Sequence, residues 1–214
     1  MVLKINKIVH KYSNFELDIS QMEIADNQIV GLIGSNGAGK TTLMNVLSRF
    51  LVASDAFDVS GLNEDKILYI SSDLVPFDYM SVEEFVNIIL KYSKSEKKCS
   101  TILDELQLQE KRNTQISDLS QGMTKKLSMV NIFINDYDLI ILDEPFNSID
   151  VNYIFQLKRL LLKLKKTTTI IISSHILDTL NDICDEYIYL KDGKVAKHMK
   201  NTGKIDELER ELID

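Results

Sequence analysis

Two periods of apolar residues along the chain predict strands and helices in alternation. Phe15, Leu17 and Ile19 alternate with polar residues, as in a half-buried strand, and positions 2–11 show a similar spacing. Short apolar runs, typical of buried strands, occupy 28–33, 66–71, 138–142 and 168–173. Apolar residues at helical spacing occupy 41–51, 82–92, 101–108, 121–134 and 151–166. Phe50, Tyr92, Val130 and Ile154 are among the residues expected on the apolar faces of these helices. The alternation predicts an α/β core of mostly parallel sheet flanked by helices, preceded by an N-terminal antiparallel β region.

Local signals mark the ends of several predicted elements. Ser81 is followed three residues later by Glu84, which is the capping box that starts a helix. Ser120 is placed to cap the helix that follows it. The Asp-Gly turn at 192–193 separates two apolar segments and predicts a hairpin. A surface helix is predicted near the C-terminal end, at 205–212.

Composition limits the class of protein. The chain has 214 residues, 44% of them hydrophobic and 27% charged, and its 25 basic and 32 acidic residues give a net charge of −7. We expect a single domain, 1–214, with an inserted helical subdomain at about 79–133. An acidic chain is poorly suited to binding nucleic acid. Cys99 and Cys184 match no metal spacing and are expected to be reduced thiols. No apolar run suits a signal peptide or a membrane span, so we expect a cytosolic protein.

The segment between the strand at 28–33 and the helix at 41–51 carries a phosphate-loop motif. Residues 34–41 read G-S-N-G-A-G-K-T, which fits the pattern G-x-x-x-x-G-K-T. Its glycines let successive backbone N–H groups turn inward around an anion, and the following helix adds the positive end of its dipole. Lys40 is expected to reach the β- and γ-phosphates of a nucleotide, and the Thr41 hydroxyl is expected to bind Mg²⁺.

Two carboxylates and a histidine lie at the ends of later strands. Asp143 and Glu144 end the apolar strand that starts at Asp138 and is stopped by Pro145, at the edge where open α/β sheets bind ligands. Asp143 can hold Mg²⁺ from the side opposite Thr41. Glu144 points the other way along the strand, so it is free to act as a general base toward water. His175 follows the next strand and could bond the γ-phosphate or that water, although a histidine there is more often structural.

The segment Leu119-Ser120-Gln121-Gly122-Met123 resembles the signature L-S-G-G-Q of ABC transporter ATP-binding subunits. With the phosphate loop, the Asp-Glu pair and the histidine in the same order, the resemblance extends from about Tyr12 to about Val195. The segment 148–150 resembles the D-loop of that family, and His175 its switch histidine. Tyr12 resembles the aromatic residue that stacks on adenine, whereas its spacing alone favours a packing role.

The resemblance implies a P-loop NTPase fold and an ATPase that uses ATP and Mg²⁺. The residues implied to bind ATP are Tyr12, Gly34, Ser35, Asn36, Gly37, Ala38, Gly39, Lys40, Thr41, Thr42, Ser120, Gly122 and Asp150. The implied catalytic residues are Glu144, His175 and Lys40, and the implied metal ligands are Thr41, Asp143 and Ser72. Ser72 is a departure, because the family has a glutamine at this position that touches Mg²⁺ and couples hydrolysis to the membrane subunit. The shorter serine is expected to reach Mg²⁺ only through water, which would weaken metal binding and that coupling.

The resemblance also implies partners. In this family two ATP-binding subunits close head to tail, with each ATP between one phosphate loop and the other subunit's signature, and hydrolysis releases them. A second copy or a relative is therefore required, together with a separate transmembrane permease subunit. The cassette would lie on the cytosolic face of the cell membrane. The Gln-Gly-Met form of the signature is familiar from exporters.

Other classes fit less well. A soluble ABC ATPase acting on nucleic acid or ribosomes would bring tandem cassettes, a coiled-coil insertion or basic arms, which this sequence does not contain. Glu144 and His175 argue against a regulatory nucleotide-binding partner with little hydrolysis, although Ser72 keeps that alternative open. A P-loop kinase or a GTPase would explain neither the signature nor the histidine.

Overall fold

The computed structural model describes residues 2–12, 14–61, 63–72, 77–175 and 177–203. The strands are β1 (Leu3–Tyr12), β2 (Phe15–Ile24), β3 (Ile29–Ile33), β4 (Ala56–Ser60), β5 (Ile67–Ile70), β6 (Leu139–Leu142), β7 (Thr169–Ser173), β8 (Glu186–Lys191) and β9 (Lys194–Lys200). The helices are α1 (Lys40–Leu47), α2 (Val82–Tyr92), α3 (Cys99–Glu105), α4 (Gln121–Ser128) and α5 (Val151–Leu164). Among these described residues, no helix is both long and apolar enough to cross a membrane.

The chain divides into two compact units. The first is formed by the described parts of Met1–Tyr69, Tyr137–Pro145 and Leu157–Asp214, and the second by those of Ile70–Asp136 and Phe146–Gln156. The predicted boundaries, a single domain at 1–214 with a helical subdomain at about 79–133, stay a prediction.

The central sheet has six strands in the order β5-β6-β7-β3-β8-β9. Strands β6, β7, β3 and β8 run parallel, and β9 pairs antiparallel with β8 to form the predicted hairpin. Every residue of β3, β6 and β7 is buried, which explains why these strands are continuous apolar runs in the sequence. Because parallel strands end at the same edge, the segments after β3, β6 and β7 meet there. These segments carry the phosphate loop, the two carboxylates and the histidine.

The N-terminal strands form a separate three-stranded sheet of order β2-β1-β4. The predicted antiparallel pairing of β1 with β2 is confirmed, with register from Leu3 opposite Ile24 to Tyr12 opposite Phe15. Strand β4 was not predicted. It spans five residues and none of them is fully buried, so its apolar alternation is too short to stand out.

The second unit contains α2, α3, α4 and the first residues of α5. The capping box is confirmed, because the Ser81 hydroxyl accepts the Glu84 N–H at 3.2 Å and the Glu84 carboxylate accepts the Ser81 N–H at 2.8 Å. That backbone bond holds the pKa of Glu84 below its usual range, since accepting an N–H stabilises the charged carboxylate. Ser120 caps α4 as predicted, and its hydroxyl accepts the Met123 N–H at 3.3 Å.

The structure differs from several details of the helix predictions. Helix α1 ends before Arg49, whose left-handed φ of 62° breaks the helix and leaves Phe50 80% exposed instead of on the apolar face. The Tyr92 side chain, predicted on the apolar face of α2, is 83% exposed. Ile154, predicted to point inward from α5, is only partly buried. The helix predicted at 205–212 lies outside the described residues.

Candidate functional site

The phosphate loop lies between β3 and α1, where the backbone adopts left-handed conformations at two glycines. Gly37 and Gly39 have left-handed φ values of 83° and 105°, which residues with a side chain rarely adopt. The Ala38 N–H donates to the Ser35 carbonyl at 3.1 Å and closes a turn within the loop. The Leu43 N–H donates to the Gly39 carbonyl at 2.9 Å and begins the hydrogen bonding of α1. The unpaired N–H groups of the first turn therefore border the loop and favour an anion.

The Lys40 side chain adds positive charge to this loop. Its ammonium donates to the carbonyls of Gly34 and Ser35 at 2.7 and 3.2 Å, and the residue is 8% exposed. Of the other predicted loop residues, Asn36 is exposed at the tip and Thr42 is partly buried in the first turn of α1. The loop thus joins backbone donors, a helix N-terminus and an ammonium at one place, as phosphate binding requires.

Aromatic residues of β1 and β2 lie against the loop. Tyr12 is 49% exposed, which leaves part of its ring accessible for stacking. Its ring packs edge-on against His10, with centroids 4.7 Å apart, and at a tilt against Phe15, with centroids 6.4 Å apart. A Cβ on Gly39 would lie 2.8 Å from the end of the Phe15 ring, so Phe15 fills the space beside the loop. The rings therefore connect the predicted adenine position with the phosphate loop.

Two of the three predicted metal ligands meet. The Thr41 hydroxyl donates to Asp143 Oδ2 at 2.9 Å, and Asp143 is 2% exposed. A hydroxyl beside a carboxylate fits Mg²⁺, which prefers oxygen ligands and completes its shell with water and nucleotide phosphates. Ser72, the third predicted ligand, is an exposed turn residue of the second unit, and its metal role stays a prediction.

Glu144 follows Asp143 directly, but its side chain faces His175 and not the Thr41–Asp143 pair. Its carboxylate oxygens both lie 3.1 Å from His175 Nδ1, and its side chain is 16% exposed. Strand alternation was expected to separate Glu144 from Asp143. Instead, β6 ends before both residues, and Glu144 has a left-handed φ of 48°. That conformation costs a residue with a side chain about 1–2 kcal/mol, so its surroundings must hold it.

In the second unit, the signature segment contacts the D-loop. A Cβ on Gly122 would lie 2.6 Å from the Ser148 carbonyl oxygen, so this approach requires glycine. Lys126, one turn further along α4, bonds Asp150 at 2.7 Å, and its ammonium lies 4.5 Å from the centre of the Tyr153 ring. The Lys126 ammonium, with the Tyr153 N–H, holds the pKa of Asp150 below its usual range. The buried Lys126 therefore ties the two predicted nucleotide-contacting segments together.

Breaking the Lys126–Asp150 pair is expected to destabilise the protein modestly. In urea unfolding at pH 7, the cycle of Lys126→Met and Asp150→Asn should give a coupling energy of about 0.5–1 kcal/mol, because solvent screens a half-exposed carboxylate. The folded pKa of Asp150 lies below its unfolded value of about 3.9. This stabilisation is therefore present above that value and is lost as the pH falls through the lower folded pKa. Lys126→Arg, which keeps the charge, is the control, and a coupling energy of zero would contradict the pairing.

Sequence comparison identifies relatives of the chain. Residues 17–147 match the sequence profile of the family described as ABC transporter. An uncharacterized ABC transporter ATP-binding protein of Methanocaldococcus jannaschii is 31% identical over 204 residues, which cover 92% of this chain and 74% of that protein. Another from Bacillus subtilis (strain 168) is 25% identical over 221 residues, covering 98% of this chain and 73% of that protein.

Solved structures share the fold. An ATP-binding subunit of an ABC transporter has a TM-score of 0.86 at 24% identity, over 100% of both chains. An ATP-binding cassette solved as a dimer bound to ADP and phosphate has a TM-score of 0.76 at 20% identity, over 95% of this chain and 100% of the other. The predicted P-loop NTPase core is thereby confirmed. Together with the profile match and the relatives, it shows that the chain belongs to the ABC transporter family, as one of its ATP-binding cassettes.

Proposed function

We propose that the chain binds and hydrolyses Mg-ATP as the motor subunit of an ABC transporter. The observation that carries this proposal is the meeting of two pairs at one edge of the sheet: Thr41 with Asp143, and Glu144 with His175. The first pair offers oxygen ligands to a metal. The second offers a base whose carboxylate is held by an imidazole. ATP hydrolysis needs both, next to a loop that binds phosphates.

The residues around the loop have separate roles in this proposal. The loop N–H groups and Lys40 bind the β- and γ-phosphates, and Tyr12 stacks on adenine. Thr41 and Asp143 would hold Mg²⁺, which when bound neutralises charge on the phosphate oxygens. Glu144 orients the attacking water and accepts its proton on the carboxylate, while His175 holds that carboxylate in place.

The proposal includes ATP-driven dimerisation. The first turn of α4, capped by Ser120 and including Gly122, presents N–H groups and a positive dipole end suited to a γ-phosphate. A second cassette, identical or related, would bring this turn to the ATP on the first. The related cassette solved as a dimer with ADP and phosphate supports this arrangement.

The proposed partners follow from the family. The relatives are named ABC transporter ATP-binding proteins, which supports a separate transmembrane permease subunit and a place on the cytosolic face of the cell membrane. The Gln-Gly-Met form of the signature supports export. A net charge of −7 disfavours a nucleic-acid partner.

The purified chain is expected to bind ATP and release phosphate in the presence of Mg²⁺. Tyr12→Ala should weaken ATP affinity about 5- to 150-fold, because stacking of a base on an aromatic ring contributes about 1–3 kcal/mol. Isothermal titration calorimetry measures the ATP affinity, and a phosphate-release assay measures hydrolysis. Tyr92→Ala removes a tyrosine that is 83% exposed on α2 and is the control.

Different failures of this experiment have different meanings. If the wild-type chain bound no ATP, the proposal would be overturned. ATP binding and dimerisation without phosphate release would favour a regulatory nucleotide-binding partner. Equal losses of ATP affinity in Tyr12→Ala and Tyr92→Ala would remove the adenine role of Tyr12.

A further inference from the structure

Ser173, the last residue of β7, bonds both carboxylate-bearing residues of the site. It is 0% exposed. Its hydroxyl donates to Asp143 Oδ1 at 2.5 Å and accepts the Glu144 N–H at 2.9 Å. A carboxylate can only accept, so the single hydroxyl proton must go to Asp143, and an oxygen lone pair remains for the Glu144 N–H. One buried side chain therefore joins the metal ligand to the base.

The bond to Asp143 assigns the two carboxylate oxygens to different neighbours. Oδ1 accepts from Ser173, while Oδ2 accepts from Thr41 on the phosphate-loop side. Because Ser173 is buried, water does not compete for its hydrogen bond. The bond therefore fixes the rotation of the Asp143 carboxylate. Oδ2 is thereby kept toward Thr41, where the metal would bind.

The bond to Glu144 complements the contact made by His175. Ser173 bonds the main-chain N–H of Glu144, and His175 contacts its carboxylate. The left-handed φ of 48° at Glu144 requires such support from outside the segment itself.

We propose that Ser173 is a positioning residue for hydrolysis, which sets the backbone of Glu144 and the orientation of Asp143 through one hydroxyl. The inference rests on the proposed function, since positioning a base matters to turnover only if the chain hydrolyses ATP. Ser173 itself touches neither nucleotide nor water in this scheme.

The test compares Ser173→Thr with Ser173→Val. The two variants have nearly the same shape and share any crowding in the buried site, so they differ chiefly in the hydroxyl. We expect the threonine variant to keep turnover near the wild-type value and the valine variant to lose about 10- to 100-fold in kcat, because small displacements of a catalytic group have effects of this size. ATP affinity, set mainly by the phosphate loop and Tyr12, should stay within about threefold in both.

Amide hydrogen exchange at Glu144, followed by NMR, tests the geometry without requiring turnover. The Glu144 amide should exchange at least about tenfold faster in the valine variant than in the threonine variant, because its acceptor is gone. Thr169→Val is the matched control. It removes another hydroxyl that accepts a backbone N–H, that of Asn27 at 3.1 Å, at the opposite end of β7, and it should leave kcat unchanged.

The outcomes separate this inference from the proposed function. Equal kcat values for the threonine and valine variants, with wild-type turnover present, would overturn the role of Ser173 and leave ATP hydrolysis standing. A loss of kcat in Thr169→Val as large as in Ser173→Val would show a general structural effect and would also overturn it. Without wild-type turnover the proposed hydrolysis fails, and equal Glu144 amide exchange in the two variants would then overturn the positioning itself.

Discussion

Glu144→Gln is expected to reduce steady-state phosphate release about 100- to 10,000-fold, the usual contribution of a general base. Glutamine has the shape of glutamate and can still contact His175, which lies 3.1 Å from both carboxylate oxygens in the wild-type chain. The amide has no basicity toward water, so chemistry should stop while ATP binding persists. If ATP joins two cassettes and hydrolysis separates them, the variant should accumulate as an ATP-bound dimer.

Light scattering with and without Mg-ATP measures the mass of the variant, alongside wild-type turnover. Glu186→Gln is a matched control, because Glu186 also pairs with a histidine, His198, at 2.9 Å, but on the β8–β9 hairpin. The control should hydrolyse ATP like the wild-type chain and form no trapped dimer. If Glu144→Gln loses turnover but stays monomeric, the homodimer is wrong, and a heterodimer with a related cassette replaces it. If it keeps wild-type turnover, Glu144 is not the base.

The sequence was most informative where chemistry depends on residue types at fixed, short spacing. The phosphate loop at 34–41 predicted its own strand–loop–helix context, because the glycine positions and the flanking apolar runs act within a few residues of each other. The capping box at Ser81 was predictable for the same reason. The parallel core followed from the alternation of buried strands and amphipathic helices.

Two sets of contacts between distant residues, those of Lys126 and those of Ser173, were not predicted. Lys126 lies four residues before Val130, on the apolar face of the predicted helix, and a lysine there was an available signal of a buried partner. That the partner is Asp150 depends on packing between segments 24 residues apart, as 150 − 126 gives. Ser173 lies at the end of the strand predicted at 168–173, two residues before His175, and this position was its only signal. Its bonds reach 29 and 30 residues back along the chain.

Strand alternation gives the wrong reason for the different directions of the Asp143 and Glu144 side chains. Alternation along a strand predicts opposite directions for neighbours, but β6 ends at Leu142. The left-handed backbone of Glu144 directs its carboxylate to His175, and Ser173 supports that backbone. A left-handed backbone conformation at a residue other than glycine depends on tertiary contacts. The local spacing of residues in the sequence does not reveal those contacts.

Gly122→Asp is expected to abolish ATP-driven dimerisation while leaving ATP binding to the single cassette intact. The new Cβ would meet the Ser148 carbonyl oxygen at 2.6 Å, so the first turn of α4 or the D-loop must shift. The new carboxylate would also place negative charge where the partner's γ-phosphate is expected. Like charges brought together at an interface cost several kcal/mol, and a symmetric dimer has two such sites, so the cost enters twice. Dimer affinity should fall at least about 1000-fold.

The measurement is made on the Glu144→Gln background, where the dimer is expected to persist. Gly122→Ala separates the two causes, since it introduces the Cβ without the charge and should weaken the dimer less. Calorimetric ATP affinity of the monomer should stay within about threefold of the parent, because the phosphate loop and Tyr12 are unchanged. A trapped dimer that survived Gly122→Asp would mean that the signature does not face the partner's nucleotide, and the head-to-tail arrangement would be wrong. Loss of ATP binding in the monomer would instead show that this turn contributes to its own subunit's site.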